Sequence, residues 1–184
     1  MEAVWDDKIF TVEDIEALPE GKRVELIDGI MYDMAAPSAT HQRLVSFFTW
    51  SIQDYIRRNN GDCEVFPAPF AVYLNKDEYN YLEPDISVIC DPSRVDEKGC
   101  HGAPDWIVEI VSPSNRTMDY LHKLLKYERG DVREYWVVDP EKLRVTVYRF
   151  GEKELVAEYG FDEEIPVGIY EDFSLKVQSD LILK

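Results

Sequence analysis

Two short apolar stretches each carry carboxylates within them: Tyr81-Leu82-Glu83-Pro84-Asp85-Ile86-Ser87-Val88-Ile89 and Asp105-Trp106-Ile107-Val108-Glu109-Ile110-Val111-Ser112. β-Branched residues surround Glu109 on both sides, the pattern of a strand covered on both faces. An ionised carboxylate in such a place costs several kcal/mol unless it is paired or bound to a cation. If the two strands pair and Asp85 and Glu109 point into one cleft, two hard oxygen donors meet there. That donor pair suits Mg²⁺ or Mn²⁺, completed by water and a substrate phosphate. Alternation along the second strand places Glu109 on the face of Ile107 and Val111, with Trp106, Val108 and Ile110 opposite.

Hydrolysis at phosphorus also draws on a cation near the developing charge. Lys123 is the candidate, because helical spacing sets Leu121, Leu124 and Leu125 on one apolar stripe and Tyr120, Lys123 and Tyr127 along another edge. Lys126 reads as the solvent-facing rival. The local balance from Arg116 to Arg133 is basic, with Arg116, Lys123, Lys126, Arg129 and Arg133 against Asp119, Glu128 and Asp131. His41 opens a long helical pattern, where a phosphate contact or a base role competes with simple capping or packing. Plainer roles exist for the acids too: Asp85 as a cap for nearby amides, and Glu109 as an ion-pair partner of Lys123 or Arg116. The Cys100-His101 pair is too little for zinc.

The elements that must position these residues follow from pattern. Thr11 with Asp14 and Glu16 marks the start of a short helix that Pro19-Glu20-Gly21 closes. Asp28-Gly29 between the apolar runs 23–27 and 30–34 predicts a hairpin. Leu44, Phe47, Phe48, Ile52, Tyr55 and Ile56 predict a helix over about Ala39 to Arg58, ended by Asn59-Asn60-Gly61. Strands are expected near 63–66 and 70–74, then at the two acid-bearing stretches, with a polar loop over Asp91–Gly102. Ser112-Pro113-Ser114-Asn115 supplies N-cap candidates for a helix over about Arg116–Arg129, followed by strands at Glu134–Asp139 and Arg144–Arg149. The order predicts a mixed α/β (α+β) sheet flanked by helices, with a right-handed crossover from the Glu109 strand to the Tyr135 strand and a β-rich C-terminal segment.

At 184 residues, with 45% hydrophobic content, the chain is expected to be one domain over residues 1–184. A net charge of −17 argues against non-specific grip on nucleic acid as its main task, though it leaves room for a small basic cleft. No apolar run approaches a membrane span and no signal-like N-terminus is present, so the expected location is cytoplasmic. Cys63, Cys90 and Cys100 are expected to be reduced thiols, not a disulfide frame.

The ordered set Glu25-Leu26-Ile27-Asp28-Gly29, His41, Pro84-Asp85, Val108-Glu109-Ile110-Val111-Ser112-Pro113-Ser114, Lys123 with Tyr127, and Glu134-Tyr135-Trp136-Val137-Val138-Asp139-Pro140 resembles the Uma-two family of putative restriction endonucleases. That family lies within the PD-(D/E)xK nuclease superfamily, and the resemblance runs from about residue 11 to residue 150. It implies a restriction-endonuclease-like αβββαβ core. It also implies that Asp85 and Glu109 bind the divalent metal, with Glu25 as a third ligand or water-positioning base. Val111 stands where the superfamily lysine is expected, and the resemblance implies that Lys123 supplies it from the following helix. The leading expectation is a Mg²⁺- or Mn²⁺-dependent endonuclease acting on DNA, working as a homodimer. The alternatives are a catalytically inactive binding module on the same fold, or a metal-dependent hydrolase of a small phosphorylated substrate.

Overall fold

The computed structural model describes residues 8–75, 77–112, 118–151 and 155–182. Thr11 opens α1 (Val12–Glu16), and its backbone N–H donates to the Asp14 carboxylate at 2.9 Å. Strands β1 (Val24–Ile27) and β2 (Ile30–Asp33) form the expected hairpin. Its turn residues Asp28 and Gly29 have φ of 51° and 77°, the left-handed pair that matches strand twist. A side chain at Gly29 would sit 2.6 Å from Ile9, so the turn needs glycine for space as well as for φ.

The long helix α2 spans Ala39–Arg58, as its periodicity predicts, and the Ser38 hydroxyl accepts from the His41 N–H at its start. Leu44, Phe48, Ile52 and Ile56 recur every four residues and are buried. Then follow β3 (Glu64–Pro67), β4 (Val72–Tyr73), β5 (Ile86–Ile89), β6 (Val95–Asp96), β7 (Gly99–His101) and β8 (Trp106–Ile110). A wide π-type turn, Met118–Lys123, runs into α3 (Leu124–Arg129). After it come β9 (Glu134–Asp139), β10 (Arg144–Arg149), β11 (Leu155–Gly160), β12 (Ile165–Pro166) and β13 (Ser174–Leu175).

The central sheet has the order β11-β10-β9-β8-β5-β3. Its β8–β9 pair is parallel and the other pairs are antiparallel, as a single helical crossover between β8 and β9 requires. The two faces bury different sets. Trp106, Val108 and Ile110 pack with Trp136 and Val138 against α2, whereas Ile107 and Val111 pack with Tyr135 and Val137 against Tyr127 of α3. This is the mixed α+β architecture that element order predicts, and the run α2-β3-β5-β8-α3-β9 reproduces the αβββαβ core. Among the described residues no helix is long and apolar enough to cross a membrane.

Three expectations need correction. Residues 91–102 are not simply a polar loop: β6 and β7 pair there and join β4 in a small sheet, their turn held by Asp96, whose carboxylate accepts from the Lys98 and Gly99 N–H groups. Cys63 and Cys90 are joined in a disulfide. The antiparallel register Glu64↔Ile89 sets them opposite each other one step beyond the β3–β5 ladder, although they lie 27 residues apart in sequence. Only Cys100 is a free thiol, and burial pushes its pKa up to about 11. Finally, the leucine stripe does not share a buried face: Leu121 is 59% and Leu125 49% exposed, Leu124 packs partly buried on the core, and Lys123 and Tyr127 are buried. A π-type turn carries more residues per turn than an α-helix, so a wheel drawn at helical spacing assigns the wrong face. The proposed caps at 113–115 and the start of the helix near Arg116 lie outside the described residues.

Candidate active site

The β5–β8 register is Ile86↔Val108, so the step before it brings Asp85 opposite Glu109. Cross-strand neighbours of this kind sit within reach of one another. Asp85 is fixed by two bonds to one oxygen: Oδ2 accepts from the Ile110 N–H at 2.7 Å and lies 3.0 Å from His41 Nε2. The amide that Asp85 caps is on the neighbouring strand rather than local, and Oδ1 lies outside both bonds. His41 reaches Asp85 because the first turn of α2 abuts the sheet end. The carboxylate favours the Nε2–H tautomer, so Nδ1 is left as acceptor; it is buried with no hydrogen-bond partner.

Glu109 points to the α3 face, as alternation predicts. Its Oε1 receives the Lys123 ammonium at 2.7 Å and the Tyr127 hydroxyl at 2.8 Å. Lys123 also donates to Glu25 Oε1 at 3.0 Å, an oxygen that the Glu83 N–H shares at 3.0 Å. Glu25, Lys123 and Glu109 are 0%, 2% and 4% exposed. Among the described residues one ammonium lies between two buried carboxylates, an arrangement that a further positive charge would relieve. Glu25 Oε2 is buried without any hydrogen-bond partner. An orphaned carboxylate oxygen is costly to keep, on the order of 1–3 kcal/mol or more for a charged group.

These residues line one cavity of about 600 Å³. Asp85, Glu109, Glu25, Lys123 and His41 all reach its wall, so the five residues read from sequence are brought together. Lys126 instead pairs with the exposed Asp28, away from the cavity. Sequence reasoning gave no role to three contributors. Arg23 pairs with Glu83 on the cavity wall, and Tyr127 donates to Glu109. Glu83 stood two residues before Asp85, on the same side of an extended chain, which was the available signal. Nothing in sequence tied Arg23 to it across 60 positions.

The comparisons bear on the family and the fold. The pattern of the Uma-two family, described as a putative restriction endonuclease, matches residues 12–178. The chain belongs to that family. An uncharacterized protein of Synechocystis sp. is 26% identical over 125 residues, 67% of this chain and 64% of the relative, so the chain spans under two thirds of that protein's length. The crystal structure of a putative nuclease from Anabaena variabilis superposes with a TM-score of 0.75 at 24% identity, covering 95% of this chain and 98% of the other. That likeness carries the fold alone. The family it belongs to is described as putative restriction endonucleases, and its fold is that of a putative nuclease.

Members of such a family imply a divalent metal, and the residues can be tested for fit. Among the described residues no three His, Cys, Asp or Glu side chains converge as a chelate. Mg²⁺ does not require one, since it keeps several waters and takes one or two carboxylates plus substrate oxygens. Hard carboxylate oxygens on one cavity wall, one of them buried and unpartnered, fit that requirement.

Proposed function

We propose that this protein is a metal-dependent endonuclease that hydrolyses phosphodiester bonds in DNA. The observation that carries the reading is the Lys123 ammonium set between Glu25 and Glu109 on the wall of the cavity that also holds Asp85. Asp85 and Glu109, with Glu25, would hold Mg²⁺ or Mn²⁺. When bound, the ion polarises the phosphate and lowers the pKa of water. Lys123, held between Glu25 and Glu109, would steady the negative charge that develops on phosphate oxygens. His41, oriented by Asp85 through Nε2, offers Nδ1 as a proton acceptor. Cutting both strands of a duplex calls for two such sites, which favours a homodimer.

The test is nicking of supercoiled plasmid with Mg²⁺ or Mn²⁺. Wild type should nick, and Asp85→Ala should lose activity by about 10³-fold, the scale of losing one preorganised electrostatic group. Equal rates for the two proteins would remove Asp85 from the mechanism. A second reading, a non-catalytic binding module, draws on Val111 at the usual lysine position and on the lack of a convergent chelate among the described residues. Calorimetry separates the two. Mg²⁺ or Mn²⁺ binding that disappears in Glu109→Gln supports the nuclease, and no binding in wild type leaves the scaffold.

A further inference from the structure

Among the described residues the cavity wall is rich in acid: Glu25, Glu83, Asp85, Glu109 and Glu141 stand with Lys123, Arg23 and His41. A phosphodiester entering such a cavity meets repulsion from all sides except where a cation is free to receive it. Lys123 is committed to Glu25 and Glu109 on the inner wall. Arg23 is differently placed. Its side chain is 37% exposed, and Nε and Nη2 both donate to a single oxygen, Glu83 Oε2, at 3.0 and 2.5 Å. Among the described residues its side chain makes no other hydrogen bond, so the rest of its planar donor fork is open.

Glu83 is built to hold that arginine and little else. Its side chain is buried, and its other oxygen accepts from the Tyr81 hydroxyl at 3.0 Å. Burial beside Glu83 raises the Tyr81 hydroxyl well above its ordinary range, so it remains a donor. The same cavity is lined by Pro37, Ser38 and Thr40 at the N-terminus of the 20-residue α2, whose dipole favours negative charge. Arginine held from one side by a carboxylate, with its remaining N–H groups presented to a concave wall, is preorganised for a bidentate contact with phosphate.

We infer that Arg23, positioned by Glu83, forms a phosphate-binding subsite for a phosphodiester neighbouring the one that is cut. This rests on the nuclease reading for its reaction, but the subsite itself is a binding property that can be read without turnover. Arg23 holds substrate outside the bond-breaking step, so its loss acts on affinity more than on rate.

Two measurements test it. In steady-state cleavage of an oligonucleotide with Mg²⁺, Arg23→Gln should raise KM roughly tenfold, the scale of one charge-assisted bidentate contact, with kcat nearly unchanged, and Arg23→Lys should recover part of the loss. Separately, the Arg23 Nε–H resonance of wild-type protein, identified by its absence in Arg23→Lys, should shift on titration with dimethyl phosphate and not with sodium chloride at equal ionic strength. Glu83→Gln should weaken that response, which also covers the case in which Arg23→Gln fails to fold. A KM unchanged in Arg23→Gln, or an Nε–H signal indifferent to dimethyl phosphate, overturns the subsite. A phosphate-dependent shift in a wild-type protein that cuts no nucleic acid would sustain the subsite and remove the nuclease reading instead.

Discussion

Glu109 and Glu134 lie on adjacent strands of one sheet, both buried, yet they are surrounded in opposite ways. Glu134 is held mainly by neutral, fixed donors. Trp136 Nε1 binds Oε1 at 2.7 Å, and the backbone N–H groups of Gly168 and Ile169 bind Oε2 at 2.6 and 3.0 Å, with Arg149 3.5 Å from Oε1. It ties the start of β9 to the C-terminal segment. Glu109 is held by an ammonium on a four-carbon stem and by a phenol, and its neighbour Glu25 keeps a buried oxygen without a partner. A carboxylate saturated by backbone and indole donors is a structural pin. A carboxylate sharing one movable cation with a second, incompletely satisfied carboxylate is prepared to exchange that cation for another.

The largest expected effect breaks this comparison at the lysine. Lys123→Met leaves two buried carboxylates with no ammonium between them, which should cost about 3–5 kcal/mol by urea unfolding. Because the deficit is one of positive charge, added Mg²⁺ or Mn²⁺ should restore more stability to the variant than it adds to wild type. If the variant unfolds like wild type with and without metal, the Glu25–Glu109 pair is as self-contained as Glu134 and the proposed cation site is lost.

Sequence pattern alone could not have drawn the contrast, because Glu109 and Glu134 both stand beside β-branched and aromatic residues. What pattern does reveal is local. The span of α2 follows from Leu44 to Ile56 and the Asn59-Asn60-Gly61 stop, and the face of Glu109 follows from strand alternation. The Asp28-Gly29 turn follows from residues that tolerate positive φ. The features that escaped depend on long-range register. The Cys63–Cys90 bond needs the β3–β5 pairing, and the Arg23–Glu83 pair needs the hairpin to dock beside β5. The edge carrying Lys123 and Tyr127 was legible from helical spacing, but the exposure of Leu121 and Leu125 was not, because the π-type turn before α3 departs from that spacing. The disulfide also removes the reduced thiols as a support for a cytoplasmic location.

A second break is made at the structural pin. A methyl group at Gly168 would lie 2.5 Å from Arg149 Nε and 2.8 Å from Glu134 Oε2, so the close approach of backbone to carboxylate needs glycine. Gly168→Ala should cost about 1–3 kcal/mol of stability through overpacking, while plasmid nicking at a temperature where the variant stays folded should match wild type. Nicking reduced as far as in Asp85→Ala would mean that the two carboxylate regions are not separable.

The smallest effect sharpens the comparison through pH. Burial is the largest influence on Glu134 and raises its carboxyl above the ordinary 4.5, against the lowering effects of Trp136, Arg149, Gly168 and Ile169. A raised carboxyl binds its proton more readily in the folded protein than in the unfolded chain. From pH 4.5 up to the raised value, the folded state therefore carries more protons, and this group's contribution to stability falls as pH rises through that window. Above the window the deficit is constant. Glu134→Gln removes this titration and leaves the Glu25–Lys123–Glu109 cluster in place. The stability of wild type minus that of the variant, measured by urea unfolding in steps from pH 4.5 toward neutrality, should decline and then level. A difference that grows with pH would mean that the donors around Glu134 outweigh its burial. The pin would then be stabilised by its charge, and the contrast with Glu109 would rest on the orphaned Glu25 oxygen alone.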